Sequence, residues 1–540
     1  MSTVLVSDGQ GGWPIAIEAF ENFGAAIAPL GDIDGDGVND VAIGSNGGAS
    51  DGPISRGTIY LAQLNSTAHV TSATEVGSVV PKASFDYFGS AIASPADLDD
   101  DGLPDGDLDG DGTTDIVVGA YGEDGEAGPR TGAVYVLFLN ATGGSHSEFV
   151  RISNSSTVSS YDVSFALEAQ GEFGRSVSVI SDGNLVTTVA VGAPGEAGDS
   201  GAVHVLTVQL RRQGSRRRLT TVSSAELVST RRLVADALAG ERFGHSVAWV
   251  SRDDVAVGAP GSSNQNIPGS VYVMNGRSGT MLATITSPLP RNGALFGTSL
   301  ALASDYDANG HRELFVGAPG EDDTGAAYML YMPRQGATGG RYVRYTPSMV
   351  GVSNAMPMGL SLAILGRVNE DLVSDIAFGA PSYNSNSGGI VLGLLTPASM
   401  TPAIYPPGAP PADPLSNVGS FQIAGGEAAL TAGAVMPVFT TVSILVFLVL
   451  VFAFYWKFVR KPKDDDAAEP TSMPRLESGP LVGPRAEAPA AVDYGIIPGI
   501  APQPNVPKKL SAGPTAGPSI VYGSIPEEGA EPTRARLERI

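Results

Sequence analysis

Residues 172–206 read EFGRSVSVISDGNLVTTVAVGAPGEAGDSGAVHVL. A Phe-Gly pair opens a short alternating run, SVSV. A polar turn leads to a second, nearly continuous apolar run that ends in Gly-Ala-Pro. Glycines then bound a third β-rich run, GAVHVL. Alternating or short apolar runs punctuated by Gly and Pro are strand signals. No segment of this unit carries the period of an amphipathic helix.

The unit recurs. It starts at Phe23, Phe88, Phe173, Phe243 and Phe296, and a worn sixth copy starts at Met358. Their separations are 65, 85, 70, 53 and 62 residues, a scale that marks propellers and solenoids. Three strands per copy are plain, and a fourth fits the variable stretch before the next Phe-Gly. Four-stranded sheets repeated about an axis make an all-β propeller. Phe then reads as inter-blade packing and Gly as room for close backbone approach.

Over residues 20–400 the chain resembles the FG-GAP repeat of integrin α-subunit propellers. The resemblance implies a β-propeller of six or seven blades, with calcium held in turns between strands. Six copies are recognisable in the sequence. Residues 1–20, STVLVSDGQGGWPIAIEAF after the initial Met, admit two readings. They supply the last strands of an otherwise missing seventh blade, or they close a ring of six.

The acidic runs give that expectation specific residues. In the first copy Asp32, Asp34, Asp36 and Asp40 occupy positions 1, 3, 5 and 9 of a nine-residue loop. Val38 offers a backbone carbonyl at position 7, and Gly35 and Gly37 permit a tight turn. Hard oxygen donors at this spacing suit Ca²⁺. In the fifth copy Asp305, Asp307, Asn309 and Glu313 repeat the set, with His311 at the carbonyl position. In the second copy residues 97–115 hold nine Asp residues, enough for two loops in tandem. One is Asp97, Asp99, Asp101, Leu103 carbonyl and Asp105. The other is Asp107, Asp109, Asp111, Thr113 carbonyl and Asp115. The third and fourth copies lack such a loop. The sixth places Arg367 at position 1, where a salt bridge would replace the ion beside Asn369, Asp371 and Asp375. Three to four Ca²⁺ ions are expected.

Composition narrows the function. The 540-residue chain has no cysteine and a formal charge of −24, from 32 basic and 56 acidic side chains. Disulfides and thiolate sites are excluded. Net acidity disfavours nucleic acid and anionic lipid. No nucleophile–His–acid set and no open metal site with a base is evident, so no enzyme is expected.

Residues 435–456, VMPVFTTVSILVFLVLVFAFYW, hold no charge. Twenty-two residues at about 1.5 Å each span roughly 33 Å, enough for a bilayer core of about 30 Å. Lys457, Arg460, Lys461 and Lys463 follow, and residues 401–434 contain no Lys or Arg. The positive-inside rule makes this a single-pass type I arrangement, with the propeller outside or lumenal and the C-terminus cytosolic. Met1 begins no signal peptide, which leads us to expect a truncated start. Residues 401–434 read as a Pro/Gly/Ala-rich stalk. Residues 457–540, with 14 Pro and 11 charges of each sign, read as a disordered tail. Asn65, Asn140 and Asn154 head glycosylation sequons. Tyr494–Ile497 and Tyr522–Ile525 resemble Tyr-x-x-apolar sorting signals for a clathrin adaptor. The basic stretch RRQGSRRRLT (211–220) reads as a solvated insertion.

Integrin leg domains, an inserted I domain and the Gly-Phe-Phe-Lys-Arg signature are not found in this sequence, so integrin-like subunit pairing is not carried over. The expected function is adhesion or cell-surface recognition of a protein or matrix ligand by propeller loops. The alternative is a secretory or endosomal trafficking scaffold.

Overall fold

The computed structural model describes residues 1–396 and 418–424, apart from 48–54, 77–79, 81–82, 84, 96–105, 110, 141–143, 155–162, 182–184, 214–220, 236–239, 262–266, 333–338, 351–356, 370 and 372. Contacts divide the chain into Met1–Phe452 and Ala453–Ile540, and all described residues lie in the first unit.

Strand β1 (Ser2–Val6) precedes the first repeat. Blade 1 is β2 (Phe23–Gly31), β3 (Asp40–Ser45), β4 (Thr58–Leu64) and β5 (Val70–Val76). Blade 2 is β6 (Ala91–Ala93), β7 (Ile116–Ala120), β8 (Ala133–Asn140) and β9 (Gly144–Ser153), with β10 (Val163–Ser164) added in parallel at its outer edge. Blade 3 is β11 (Ser176–Ser181), β12 (Val186–Ala193), β13 (Ala202–Gln213) and β14 (Thr221–Leu233). Blade 4 is β15 (Ser246–Trp249), β16 (Asp254–Ala259), β17 (Ser270–Asn275) and β18 (Met281–Thr286). Blade 5 is β19 (Leu300–Leu302), β20 (Leu314–Ala318), β21 (Ala326–Tyr331) and β22 (Gly339–Tyr345). Blade 6 is β23 (Ser361–Gly366), β24 (Asp375–Gly379) and β25 (Ile390–Leu394).

The sixth repeat supplies three strands, and β1 supplies the fourth. It runs antiparallel to β25 from Ser2↔Leu394 to Val6↔Ile390. The reading of residues 1–20 as remnants of a seventh blade is therefore corrected: the ring has six blades and β1 completes the last. The physical reason is the edge of β25, whose backbone donors and acceptors need a partner. A segment expected to be stalk also contains a strand, β26 (Val418–Ala424). It pairs with β22 over Gly339↔Gln422 to Val343↔Val418 and touches β18 at Thr284 and Ile285.

In five of the six blades the second strand is buried along its length, as β3, β7, β16, β20 and β24 are, and in blade 3 β12 is buried except at Val186 and Thr188. Such a strand lies between two neighbouring blades, which is why it reads as a continuous apolar run rather than an alternating one. The outer strand β5 shows the opposite pattern, buried only at its ends. Six core clusters lie one between each pair of adjacent blades, including the pair 6 and 1.

The Phe-Gly and Gly-Ala-Pro elements lock these interfaces. Each opening Phe, or Met358, is at most 3 % exposed. Its backbone N–H donates to the preceding blade, as Phe243 N to Ser200 O at 3.0 Å and, closing the ring, Phe23 N to Ser387 O at 3.0 Å. The glycine of each Gly-Ala-Pro motif faces the carbonyl of the next blade's Phe-Gly glycine. A methyl group built on Gly192 would sit 1.8 Å from Gly244 O, and one on Gly379 would sit 2.2 Å from Gly24 O. Four serines add hydroxyl donors to the same carbonyls: Ser176 to Gly244, Ser246 to Gly297, Ser299 to Gly359 and Ser361 to Gly24, at 2.7–2.9 Å. The inner strands β2, β6, β11, β15, β19 and β23 surround a central channel.

Candidate metal centres

Strands alternate in direction, so the turns joining first and second strands all lie on the rim opposite the Phe-Gly ends. Three acidic clusters occupy that rim. Asp32, Asp34 and Asp36 sit in blade 1, Asp107, Asp109 and Asp115 in blade 2, and Asp305, Asp307 and Glu313 in blade 5. Within each cluster the ligand oxygens lie within 4.8 Å of one another.

The loops share one backbone scheme. The position-1 Asp accepts N–H groups from positions 5 and 6: Asp36 and Gly37 to Asp32, Asp111 and Gly112 to Asp107, Asn309 and Gly310 to Asp305, at 2.7–3.0 Å. The position-5 side chain accepts from position 7: Val38 N to Asp36, Thr113 N to Asp111, His311 N to Asn309, each at 2.8 Å. The glycines at position 6, Gly37, Gly112 and Gly310, have φ of 88°, 93° and 90°, a region that carries strain for other residues.

Position 9 also ties the turn to the rest of its blade. Asp40 accepts from Ile33 N at 2.9 Å and from Leu64 N, at the end of β4, at 2.8 Å. Asp115 accepts from Leu108 N at 2.8 Å and Leu139 N at 2.9 Å. Asp375 does the same with Val368 N at 3.1 Å and Leu395 N at 2.8 Å, in a loop whose first residue is Arg367. The position-9 carboxylate is thus a staple between the turn and the third strand, with or without an acidic cluster. In blade 4, Asp254 opens β16 and accepts from Asn275 Nδ2 at 3.0 Å. Asp40 stands outside the blade 1 cluster, whereas Asp115 and Glu313 belong to theirs. Arg367 forms no ion pair with Asp371 or Asp375 among the described residues and instead lines the channel.

The residues present fit a hard cation. Burial pushes Asp40 up to about 7 and Glu313 up to about 8, and the neighbouring carboxylates add to both shifts. Burial likewise raises Asp115 well above the usual range. In the blade 5 loop Glu313 Oε2 accepts from Tyr306 N at 2.7 Å, while Glu313 Oε1 and Asp307 Oδ1 are buried without a partner. Buried oxygens of that kind are costly unless something satisfies them. Oxygens held 2.3–2.6 Å from one Ca²⁺ lie within about 5 Å of each other, as these do. His311 is not among the clustered groups. Asp97, Asp99, Asp101, Leu103 and Asp105 lie outside the described residues, as do Tyr494, Ile497, Tyr522 and Ile525.

Of the sequons, Asn65 is half-buried in the β4–β5 turn and accepts from Thr67 and His69. Asn140 ends β8. Asn154 Nδ2, the atom a glycan would join, donates to Leu167 O at 3.3 Å.

At the opposite rim the structure shows a recurring polar network that the sequence reading did not isolate. The Glu after Gly-Ala-Pro-Gly, or its equivalent, is buried against a third-strand ring and an outer-strand Arg. Glu123 holds Tyr135 Oη at 2.6 Å and Arg151 Nε at 2.9 Å. Glu196 holds His204 Nε2 at 2.6 Å and Arg232 Nε at 2.7 Å. Glu321 holds Tyr328 Oη and Arg344 Nε. The opening Phe packs edge-on to that same ring: Phe88 on Tyr135, Phe173 on His204, Phe296 on Tyr328. The signal was present in GAYGE, GAPGE and GAPGE at 119–123, 192–196 and 317–321.

Comparison with known proteins agrees with this architecture. FG-GAP repeat models match residues 106–137, 296–330 and 229–274. Integrin alpha-V of Gallus gallus is 33 % identical over 128 residues, which are 23 % of this chain and 11 % of the relative. Integrin alpha-IIb of Homo sapiens is 36 % identical over 106 residues, 19 % and 9 % respectively. Integrin alpha-7 of Mus musculus is 31 % identical over 145 residues, 24 % and 12 %. The matched stretch thus spans about a tenth of each relative. The fold is an FG-GAP β-propeller. More particularly, it is an integrin α-like propeller of six blades.

Proposed function

We propose that this chain is a calcium-binding, integrin α-like receptor that recognises a protein or matrix ligand through its propeller. The observation that carries this reading is the pairing of an integrin α-like FG-GAP ring with three acidic turns on one rim. Calcium would rigidify those turns, with affinity of about 10⁻⁴–10⁻³ M, the range of extracellular modules. In this reading the ions would serve structure and not chemistry, each turn's oxygen donors saturating a cation instead of presenting it. Three to four ions are proposed, the fourth in the loop 97–105.

Residues 435–456 would anchor the propeller as a single-pass type I protein, outside the cell or in a lumen. Among the described residues no helix is long and apolar enough to cross a membrane, and 435–456 lie outside them. The second reading, a trafficking scaffold, draws on the two Tyr-x-x-apolar motifs.

The test uses the full chain expressed in cells that lack it. Adhesion of those cells to coated matrix proteins is measured with calcium and with chelator, alongside surface staining. Adhesion that is lost on chelation and restored by calcium supports the proposal. Surface-stained cells that adhere no better than controls overturn it. Retention inside the cell that is relieved by Tyr494→Ala with Tyr522→Ala supports the scaffold reading instead.

A further inference from the structure

The residue following each Phe-Gly pair, or Met358-Gly359, lines one mouth of the central channel: Ala25, Ser90, Arg175, His245, Thr298 and Leu360. The cavity there is about 440 Å³, and among the described residues its lining contains Arg175, Arg242 and His245 but no Asp or Glu. In a chain of formal charge −24, this mouth is a local reversal of sign. A concave site of one sign focuses field and concentrates oppositely charged ligands.

The cations there are not equivalent. Arg242 is held by Glu172 and, at 3.2 Å, by Asp199 Oδ1. Arg130, nearby, takes the other oxygen of Glu172 at 2.7 Å. With both oxygens of Glu172 engaged, Arg175 forms no ion pair among the described residues. Its guanidinium lies over the Tyr121 ring at 4.7 Å, and Tyr121 stacks on Tyr87 at 4.9 Å. One amino group, Nη2, lies 3.3 Å from His245 Nε2. His245 Nδ1 lies 3.1 Å from the Thr298 carbonyl, which can only accept, so Nδ1–H donates the hydrogen bond. That assigns the neutral tautomer with Nε2 as acceptor. Burial and the two arginines hold His245 well below its usual range, in keeping with the neutral ring. The guanidinium is therefore fixed on one face and at one corner, with its remaining N–H groups uncommitted among the described residues. Pre-ordering of this kind removes part of the entropy cost of binding.

We infer that this mouth is a binding site for a carboxylate, presented by an Asp or Glu side chain of a protein ligand. Among the described residues Arg175 is the one guanidinium here without an ion pair, and one such group matches a monoanion by a bidentate fork. A sulfate or phosphate dianion would call for a second free cation, and Arg242 is already paired. The neutral His245 acts as a positioning residue, accepting from Arg175 and leaving the anion to the guanidinium. The inference rests on the reading of the propeller as a recognition module, and it assigns the chemistry of what is recognised.

Phenylglyoxal labelling of Arg175 in the full chain, followed by peptide mass spectrometry, tests it. Acetyl-Gly-Asp-Gly-amide, acetyl-Gly-Asn-Gly-amide, acetyl-Gly-Arg-Gly-amide and inorganic sulfate are compared at matched ionic strength. At about ten times its dissociation constant the Asp peptide should slow labelling of Arg175 about tenfold. Exposed arginines such as Arg277 serve as internal controls. Protection by the Asp peptide alone supports the inference. No protection, equal protection by the Asn peptide, protection by the Arg peptide, or stronger protection by sulfate overturns it. Arg175→Gln should abolish saturation-transfer NMR signals from the Asp peptide, and retained signals overturn the site. If that variant fails to fold, Arg175→Lys, which keeps charge but loses the fork, replaces it. Protection without cell adhesion would sink the adhesion proposal and leave this site standing.

Discussion

Gly379→Ala tests whether the ring closes between blades 6 and 1. The new methyl group would meet Ser361 Oγ at 1.9 Å and Gly24 O at 2.2 Å. Separations below about 3 Å require something to move, and the Gly24 carbonyl is backbone pinned by Phe23 N to Ser387 O and by the Ser361 hydroxyl. The interface must open by roughly 1 Å. Overpacking of this kind costs about 1–3 kcal/mol, and loss of the Ser361 hydrogen bond adds about 1 kcal/mol. The expected total is about 2–4 kcal/mol. At about 2.1 cal/mol/K per residue, a propeller of roughly 395 residues has an unfolding entropy near 0.8 kcal/mol/K. The melting temperature should then fall by about 2–5 °C in calorimetry, provided unfolding is cooperative. Gly192→Ala, Gly258→Ala and Gly317→Ala meet the same pair of atoms, with closest approaches of 1.8, 2.0 and 2.1 Å, and should cost as much. If Gly379→Ala is silent while Gly192→Ala is not, blades 6 and 1 are not in contact and the six-blade ring is wrong.

Calcium and pH should be coupled. Asp40 and Glu313 have folded pKa values of about 7 and about 8, above their ordinary values of 3.8 and 4.5, so the folded state binds more protons than the unfolded state between about pH 4 and pH 8. Stability in chelator should fall as pH rises through that window. Calcium should raise the melting temperature more at pH 8 than at pH 5.5, and an equal gain at both would refute proton–cation competition. Asp34→Ala should remove one calcium from the native mass spectrum and leave the other loops loaded; loss of all ions together would show the sites are not independent. Arg344→Ala leaves the buried Glu321 uncompensated and should destabilise by about 3–5 kcal/mol. Arg277→Ala, at a pair whose Arg is 81 % exposed, should change urea midpoints far less, and comparable effects would refute the burial argument.

The repeat, the strand content and the acidic turns were legible because each copy carries the same local chemistry. Phe-Gly and Gly-Ala-Pro state which backbones must touch, and with Gly44, Gly119 and Met358-Gly359 standing in where a motif is worn, the same approach recurs at all six interfaces. The blade count was not legible. It depends on β1 pairing with β25 across nearly the whole propeller sequence, and STVLV looks the same whether it ends one blade or completes another. Position 9 carries a second role that its spacing does not show, since Asp40 and Asp115 each also accept backbone N–H groups from the turn and the third strand. Asp375 shows this most clearly, keeping the staple where Arg367 has replaced the first acid. The buried glutamates Glu123, Glu196 and Glu321 were hidden by their surroundings, because an acidic residue in a Gly-rich turn reads as solvated until its Arg partner is placed.

The strand that closes the ring also sets an order of events during synthesis. β1 leaves the ribosome before every blade, yet its partner β25 follows it by nearly four hundred residues. At about 5–20 residues per second, β1 waits on the order of 20–80 s with both edges unpaired. Blades 1 to 5 can form and stack in turn during that interval, but the sixth stays one strand short until the two ends of the propeller meet. Nascent propellers crowded on one messenger would each present an apolar strand and, a little later, an open β25 edge. Exchange of β1 between neighbouring chains is the misassembly this architecture invites.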